Sequence, residues 1–190
     1  MKIEEHVEHA EHAHEHGNKQ AALLIAVLAA VLAVCEQQAK RADIGVEENA
    51  VLAADTWNEY QAKSIRAAQS HDLELLAGTL NAPTDTARLT LREEFIKQMR
   101  TDQQHYEDDA KTGKGALAAR ARRYEELRRE NLERAHTFDN AAAALELGIV
   151  LSTASAITSS KLLLRFGMVM GAIGVVLALF GAVAPGLVVF

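Results

Sequence analysis

Four histidines near the N-terminus have the residue type and the spacing that a metal site requires. They recur every three or four residues, so a helix would align them along one side. Neutral imidazoles in this arrangement can share a Zn²⁺, Ni²⁺ or Cu²⁺ ion, and we expect no other cofactor. Two other interpretations stay open: a pH-sensitive patch, or a solvated acidic tail with incidental metal affinity. The candidate ligands are His6, His9, His12 and His16.

Glu146 is a carboxylate within an otherwise apolar segment. An ionisable group inside a membrane span is a functional-site hypothesis, and proton or cation handling is its usual meaning. Glu146 lies close to the start of its segment at Ala141, however, and could pair with a basic residue such as Arg134. We therefore favour an interfacial or structural carboxylate over a transport site.

Trp57, Tyr60, Lys63 and Ser64 form a motif-like cluster at helical spacing. A catalytic use would need a positioned base and a pocket, and the sequence indicates neither. The cluster instead predicts aromatic anchors that clasp an opposing helix. Because the sequence contains no nucleophile–base pair and no closed metal set, we expect a protein that is not an enzyme.

The elements that must position these residues are three apolar segments. The last of them, residues 166–190, contains no charged side chain. A helix of this length extends about 37 Å, which exceeds the hydrocarbon core of about 30 Å. Residues 20–38 and 141–160 are the other candidate spans, and a buried soluble helix is the alternative for 20–38. A short basic turn, 161–165, separates the last two spans.

Small residues recur along the last span at steps of three and four. This spacing places them on one face, where two helix backbones can approach closely. Packing against a neighbouring span or a second subunit explains the face without a ligand. Its members are Gly167, Gly171, Gly174, Ala178 and Gly181.

Residues 39–140 lie between the first and second spans and predict a coiled-coil-like stalk of two long antiparallel helices. Gly78 and Pro83 interrupt the pattern, so we expect the turn near 78–86. The first stripe runs through Val46, Ala50, Ala53, Trp57, Tyr60, Ser64, Ala67, His71 and Leu75. The second runs through Leu91, Phe95, Met99, Asp102 and Tyr106, weakens at Gly113 and Gly115, and resumes with Leu117, Ala121, Tyr124 and Leu127.

The composition narrows the class of protein. The chain has 20 Lys and Arg against 26 Asp and Glu, with no block basic enough to predict nucleic-acid binding. A single cysteine excludes an intrachain disulfide framework. Few prolines and aromatic residues, together with abundant Ala, Glu, Arg and Leu, predict an all-α fold. We therefore expect an all-α integral membrane protein with a His/Glu-rich polar tail over residues 1–19.

The segment Trp57-Asn-Glu-Tyr60-Gln-Ala-Lys63-Ser64 resembles an uncharacterised bacterial membrane-protein family, a domain of unknown function. That family typically has a His/Glu-rich start, an apolar helix, a W-x-x-Y-Q-A-K-S segment, a charged helix and a closing pair of spans. All these features occur here in that order, including the Glu and His residues over 5–14. The resemblance implies a multi-pass protein of the bacterial inner membrane and implies no activity.

Positive charge near the spans indicates the orientation. Lys161 and Arg165 in the short turn and Lys19 beside the first span place the N-terminus in the cytoplasm and the stalk in the periplasm. Lys40, Arg41 and other basic residues close to the membrane on the stalk side argue against this orientation.

Two functional hypotheses follow from these patterns. The first is a non-enzymatic membrane-anchored helical scaffold or accessory subunit, in contact with membrane lipids, that self-associates or binds a membrane or envelope partner. The alternative is a metal- or proton-responsive membrane protein, such as a transporter accessory or small channel, that uses the histidine cluster and Glu146.

Overall fold

The computed structural model of the chain is all-α. The structure describes the backbone of residues 2–80 and 85–183, and side chains within these ranges from residue 19 onward. These residues form four helices and contain no strand, which confirms the all-α part of the predicted fold class. The helices are α1 (Lys2–Thr79), α2 (Thr86–Asp108), α3 (Lys114–Thr158) and α4 (Lys161–Val183).

Three of these helices are long and apolar enough to cross a membrane. They are α1 from Lys19 onward, α3 and α4, by length and composition. The segment predicted over 20–38 lies within α1, and that over 141–160 lies within α3 except for Ser159 and Ser160, which follow its end. The segment predicted over 166–190 lies within α4 as far as Val183, and residues 184–190 lie outside the described residues.

The predicted turn near 78–86 falls between α1 and α2. Residues 81–84 lie outside the described residues, and Asp85 caps the start of α2. The Asp85 side chain accepts a hydrogen bond from the Ala87 backbone N–H at 3.3 Å, as an N-cap residue does. A second interruption was not predicted: the expected long return helix is divided at Asp109–Gly113 into α2 and α3.

The basic segment 161–165 was predicted to be a turn, and the structure corrects this. It forms the first residues of α4, while the connection from α3 consists of Ser159 and Ser160. Ser159 has a φ of 54°, in the left-handed region that ends a right-handed helix. The Ser155 hydroxyl donates to the Ser160 carbonyl oxygen at 2.9 Å and so holds the connection. Lys161 to Arg165 are all good helix formers, and helix α4 includes them.

The described chain divides into two compact units, and the first comprises Met1–Val46 and Arg129–Phe190. Small residues from α1, α3 and α4 dominate its interior, together with Leu28, Leu145 and Phe138. Large apolar side chains lie instead on its outer surface. Those exposed on α4 are Leu162, Phe166, Met168, Val169, Ile173, Val176, Leu179, Phe180 and Val183.

One face of α1 and one face of α3 form the interior of the second unit, Glu47–Arg128. Its buried residues on α1 are Ala53, Thr56, Ala67 and Ser70, and on α3 they include Leu117 and Ala121.

The two predicted stripes of the second unit need correction at their ends. His71 and Leu75 are exposed, while Ser70 and Glu74 turn inward. The buried face repeats every 3.5 residues on average, as in a coiled coil. The predicted stripe advances by four residues twice after Ala67, to His71 and Leu75, and therefore rotates away from the buried face. Leu91 and Phe95 of the second stripe are exposed as well.

Candidate functional site

The candidate site is a set of side chains in the second unit that ties α1 to α3 and to the break before α3. We call it the clasp and define it by Trp57, Tyr60, Lys63, Glu125 and the segment Asp109–Gly113. The three α1 residues lie at steps of three, so the helix presents them side by side.

The aromatic part of the clasp joins α1 to α3. The rings of Trp57 and Tyr60 meet edge to face, with centroids 5.5 Å apart and planes at 85°. The Trp57 indole Nε1 donates a hydrogen bond to the Glu125 carboxylate at 2.8 Å. Close by, the Arg120 guanidinium lies 3.2 Å from Glu59. Trp57 therefore links the two helices through an apolar ring and a charge-assisted hydrogen bond.

The basic part of the clasp holds the break between α2 and α3. The Lys63 ammonium donates a hydrogen bond to the Thr112 carbonyl oxygen and lies 4.0 Å from the Glu59 carboxylate. Only 14% of the Lys63 side chain is exposed. A carbonyl oxygen left free where a helix is interrupted needs a donor, and Lys63 supplies it.

Asp109 organises the break itself. Its Oδ1 accepts hydrogen bonds from the Thr112 backbone N–H at 2.6 Å, the Lys111 backbone N–H at 2.9 Å and the Thr112 hydroxyl at 2.9 Å. The two backbone donors, followed by the hydroxyl, lower the pKa of Asp109 to about 2. The ionised carboxylate thus replaces the backbone acceptors that an uninterrupted helix would provide.

The lowered pKa of Asp109 predicts an acid-sensitive contribution to the stability of the second unit. The pKa of an unfolded aspartate is about 3.9, so the contribution is fully present above that pH and is lost as pH falls toward about 2. We expect Asp109→Asn to be less stable than wild type at pH 6, with the difference shrinking between about pH 4 and pH 2. Denaturant unfolding monitored by Trp57 fluorescence measures it. Asp108→Asn is the control, and an unchanged difference at pH 2.5 contradicts the prediction.

Gly113 closes the break because a side chain does not fit there. A Cβ at this position would lie 2.5 Å from the Asp109 carbonyl oxygen and 2.7 Å from the Asp109 nitrogen. Both are backbone atoms that the Asp109 turn holds in place. The Gly113 N–H also donates to the Asp109 carbonyl oxygen at 2.8 Å. A Cβ at Gly115, by contrast, meets no atom within 4 Å.

These two glycines give a matched prediction. We expect Gly113→Ala to lower the free energy of unfolding by ~2 kcal/mol, because the added methyl group overpacks a fixed backbone. Gly115→Ala should leave stability unchanged or raise it by ~0.5 kcal/mol, because alanine favours the helix. Denaturant titration of both variants tests the difference. Equal stability of the two variants would contradict the conclusion that no side chain fits at Gly113.

Ser64, the remaining predicted member of the cluster, is placed differently. Its hydroxyl oxygen is buried and has no hydrogen-bond partner within the described part of the chain. The hydroxyl therefore has no base in contact with it there. The clasp therefore holds helices together. It does so through the aromatic pair of Trp57 and Tyr60, two charge-assisted hydrogen bonds and the turn that Asp109 stabilises.

The predicted glycine face of α4 lies in the interior of the first unit. Gly167, Gly171, Gly174 and Gly181 are buried, and Ala178 is partly buried. A Cβ at Gly171 would lie 2.6 Å from Leu28 of α1, and one at Gly174 would lie 2.6 Å from Leu145 of α3. The face therefore packs against both α1 and α3.

Opposite this face, α3 contributes Gly148 and Ser152, which the sequence analysis missed. A Cβ at Gly148 would lie 3.1 Å from the Gly167 carbonyl oxygen, so the two backbones meet directly. The Ser152 hydroxyl donates to the Gly148 carbonyl oxygen at 2.7 Å and is fully buried. A sequence pattern could have identified this face of α3: small residues recur at steps of four and three, at Gly148, Ser152 and Ser155.

Glu146 lies on the exposed side of α3, between the exposed residues Ala143 and Val150. It makes no ion pair with Arg134 or with any other residue of the described ranges. The side chain therefore points away from the packed interior of the first unit.

The predicted metal ligands His6, His9, His12 and His16 lie outside the residues whose side chains are described, although α1 includes their backbone. Among the side chains that are described, no group of His, Cys, Asp and Glu could hold a metal ion.

Comparison with known proteins places the chain in a family. No curated protein and no solved structure matches it. The sequence model of the family described as Domain of unknown function (DUF4337) matches residues 17–184, which include the whole second unit and the first unit apart from its two ends. Because the match covers most of the sequence, the chain belongs to the DUF4337 family.

Proposed function

We propose that the protein is a non-enzymatic helical scaffold, anchored in a membrane by the first unit and self-associating through the second. The observation that carries this proposal is the inverted packing of the first unit: glycine, alanine and serine inside, large apolar side chains outside. A water-soluble bundle buries its large apolar residues, whereas helices in lipid pack through small ones and expose large ones to acyl chains.

Three membrane crossings follow from this packing, within α1, α3 and α4. The chain-specific support is the outward position of the α4 residues Phe166, Ile173 and Phe180, which are spaced one heptad apart. The lengths of the apolar segments also match the hydrocarbon thickness.

In the second unit we propose an antiparallel helical hairpin. The support is the order of contacts between α1 and the two helices that follow it. As the residue number decreases along α1, the number of the partner increases. The pairs are Ala77 with Arg92, Glu74 with Arg100, Lys63 with Thr112, Glu59 with Arg120 and Trp57 with Glu125.

Self-association has separate support in exposed apolar residues of the second unit. Along α1 and directly after it these lie at steps of three and four, the spacing of residues that share one helix face. Exposed apolar residues grouped on a polar element typically mark an interaction site. The residues are Leu73 and Leu76 on α1, Leu80 directly after α1, and Leu91 and Phe95 on α2.

For the location we propose the bacterial inner membrane, with the N-terminus in the cytoplasm and the second unit in the periplasm. The family resemblance of the sequence supports the membrane. Lys19, Lys161 and Arg165 support the orientation, because short segments rich in Lys and Arg stay on the cytoplasmic side.

Carbonate extraction of membranes that contain the full chain tests the anchor. We expect the protein to stay in the pellet and to enter solution only with detergent. Recovery in the carbonate supernatant would overturn the membrane assignment.

Cysteine crosslinking tests self-association, because the chain has a single, buried cysteine to remove. In a Cys35→Ala background, Leu76→Cys should form disulfide-linked dimers in membranes under mild oxidation. Glu48→Cys, at an exposed polar position of the same helix, is the matched control and should crosslink far less. A strictly monomeric Leu76→Cys variant would contradict self-association through this face.

Glu146 favours a second candidate, a metal- or proton-responsive membrane protein. A carboxylate on the exposed face of an apolar helix, with no ion-pair partner among the described residues, is costly in lipid unless it is protonated or meets a partner. Replacing His6, His9, His12 and His16 with alanine should then lower zinc affinity, and Glu146→Gln should alter the response to metal stress. Unchanged affinity and phenotype would exclude this candidate.

A further inference from the structure

The first unit contains a cleft whose charged lining residues are two arginines. Its volume is about 350 Å³, and α1, α3 and α4 all contribute to it. The residues that matter for its chemistry are Gln38, Arg41, Asn131, Arg134, Phe138 and Gly181. The sequence analysis considered Arg41 only as a basic residue close to the membrane, and Arg134 only as a possible partner for Glu146.

The two arginines of the cleft have no acidic partner. Neither guanidinium forms an ion pair or a hydrogen bond with any residue in the described ranges. The residues three and four positions from Arg41 on either side are uncharged, and Glu130, four positions before Arg134, forms no ion pair within the described ranges. Other arginines of the described chain do pair with carboxylates, as Arg100 does with Glu74 at 2.6 Å.

The remaining lining adds neutral donors and an apolar wall. Gln38 and Asn131 carry side-chain amides that donate hydrogen bonds. Phe138 is 8% exposed and belongs to the apolar core of the unit. A Cβ at Gly181 would lie 3.3 Å from the Phe138 ring, so this glycine lets α4 approach α3 beside the cleft. The cleft thus combines two cations, two amides and a hydrophobic side.

This combination fits a phosphate group attached to an apolar body. Guanidinium groups bind phosphate through paired, charge-assisted hydrogen bonds, and arginine is the preferred residue for planar, two-point recognition. Gln38 ends the apolar segment that begins at residue 20, so the cleft lies where apolar sequence gives way to polar sequence. In a membrane-inserted first unit, lipid headgroups occupy this level, and basic pockets between spans there bind anionic lipids.

We propose that this cleft is a binding site for the phosphate of an anionic lipid headgroup, held by Arg41 and Arg134. The inference rests on the proposed membrane insertion. The acyl chains of the lipid would continue along the exposed apolar surface of the first unit, and the two arginines would neutralise the headgroup.

The test uses the full chain, extracted in detergent and reconstituted in nanodiscs that contain equal amounts of phosphatidylglycerol and phosphatidylcholine. Native mass spectrometry then measures which lipid stays bound. The variants are Arg41→Gln, Arg134→Gln and the double substitution. Lys40→Gln combined with Arg129→Gln is the matched control, because it removes the same charge from the same unit outside the cleft. Circular dichroism checks that each variant retains its helices.

We expect wild type and control to retain phosphatidylglycerol selectively. Each arginine substitution should weaken retention by about tenfold, as loss of one charge-assisted hydrogen-bonding group does. Equal retention by wild type and the double variant overturns the proposal. A second arm titrates inorganic phosphate into the detergent-solubilised protein. Loss of phosphate binding in the double variant with unchanged lipid retention would assign the cleft to a soluble phosphate and overturn the lipid assignment.

Failure of this proposal is distinguishable from failure of the proposed function. A wild-type protein that resists carbonate extraction but shows no headgroup selectivity overturns the lipid site alone. A wild-type protein that carbonate releases overturns the membrane anchor, and the lipid site with it.

Discussion

Gly167→Val is expected to disrupt the contact between α3 and α4 and to lower the free energy of unfolding of the first unit by ~3 kcal/mol. A Cβ at this position would already lie 2.5 Å from the Ser152 hydroxyl, 3.0 Å from the Gly148 carbonyl oxygen and 3.2 Å from the Ser152 nitrogen. Two of these are backbone atoms of α3, so a rotamer change cannot relieve the clash. Overpacking of a closely fitted interior typically costs about 1–3 kcal/mol, and valine adds two further methyl groups.

Thermal unfolding of the full chain in detergent measures this effect. Val169→Ile is the matched control, because it adds a methylene to the exposed side of the same helix and should leave the unfolding temperature unchanged. We further expect Gly167→Ala to lie between wild type and Gly167→Val. If Gly167→Val and Val169→Ile unfold at the same temperature, then α4 does not pack on α3 through its glycine face.

Leu117→Ala should produce the largest loss of stability in the second unit, about 2–5 kcal/mol. Its side chain is 0% exposed, and leucine is the largest residue type that is fully buried in the described chain. Truncation removes apolar contacts and leaves a cavity. Leu75→Ala is the control, since Leu75 is 53% exposed, is not part of the surface proposed for self-association, and should change stability by less than about 0.5 kcal/mol.

Denaturant titration of the full chain reports this difference through Trp57. It is the single tryptophan, and it lies in the clasp of the second unit, so its fluorescence follows that unit. The midpoint should shift for Leu117→Ala and stay near the wild-type value for Leu75→Ala. Comparable shifts in the two variants would contradict the burial that the structure assigns to them.

Several elements were predictable because they depend on local residue patterns. Apolar length alone identifies the three long apolar helices, and the spacing of Gly167, Gly171 and Gly174 identifies a close-packing face. The W-x-x-Y-Q-A-K-S segment, with the order of polar and apolar segments around it, suggested an uncharacterised family, and the match over residues 17–184 confirmed membership of a family of unknown function. Each of these inferences needs only residues that are close together in the sequence.

The sequence analysis was wrong where a helix end or a register depends on distant residues. At the break Asp109–Gly113, Lys63 donates a hydrogen bond to the Thr112 carbonyl oxygen. The two residues are far apart in the chain, so no local sequence pattern predicts this contact. The basic residues after Ser160 were assigned to a turn. Helix α3 in fact ends at Thr158, directly before Ser159, whose φ lies in the left-handed region. Leu91 and Leu117 belonged to one predicted stripe, and only packing of the helices separates an exposed leucine from a buried one.

By itself, the sequence determined the all-α class, the apolar segments and the glycine face of α4, because hydrophobicity and residue size act locally. Tertiary structure alone decided which residues of the other stripes are buried, that Glu125 meets Trp57, and that Arg41 and Arg134 line one cleft whose described lining contains no acidic residue. These pairings join residues far apart in the chain. Their positions depend on the register of one helix against another, which close contacts such as Gly148 with Gly167 set.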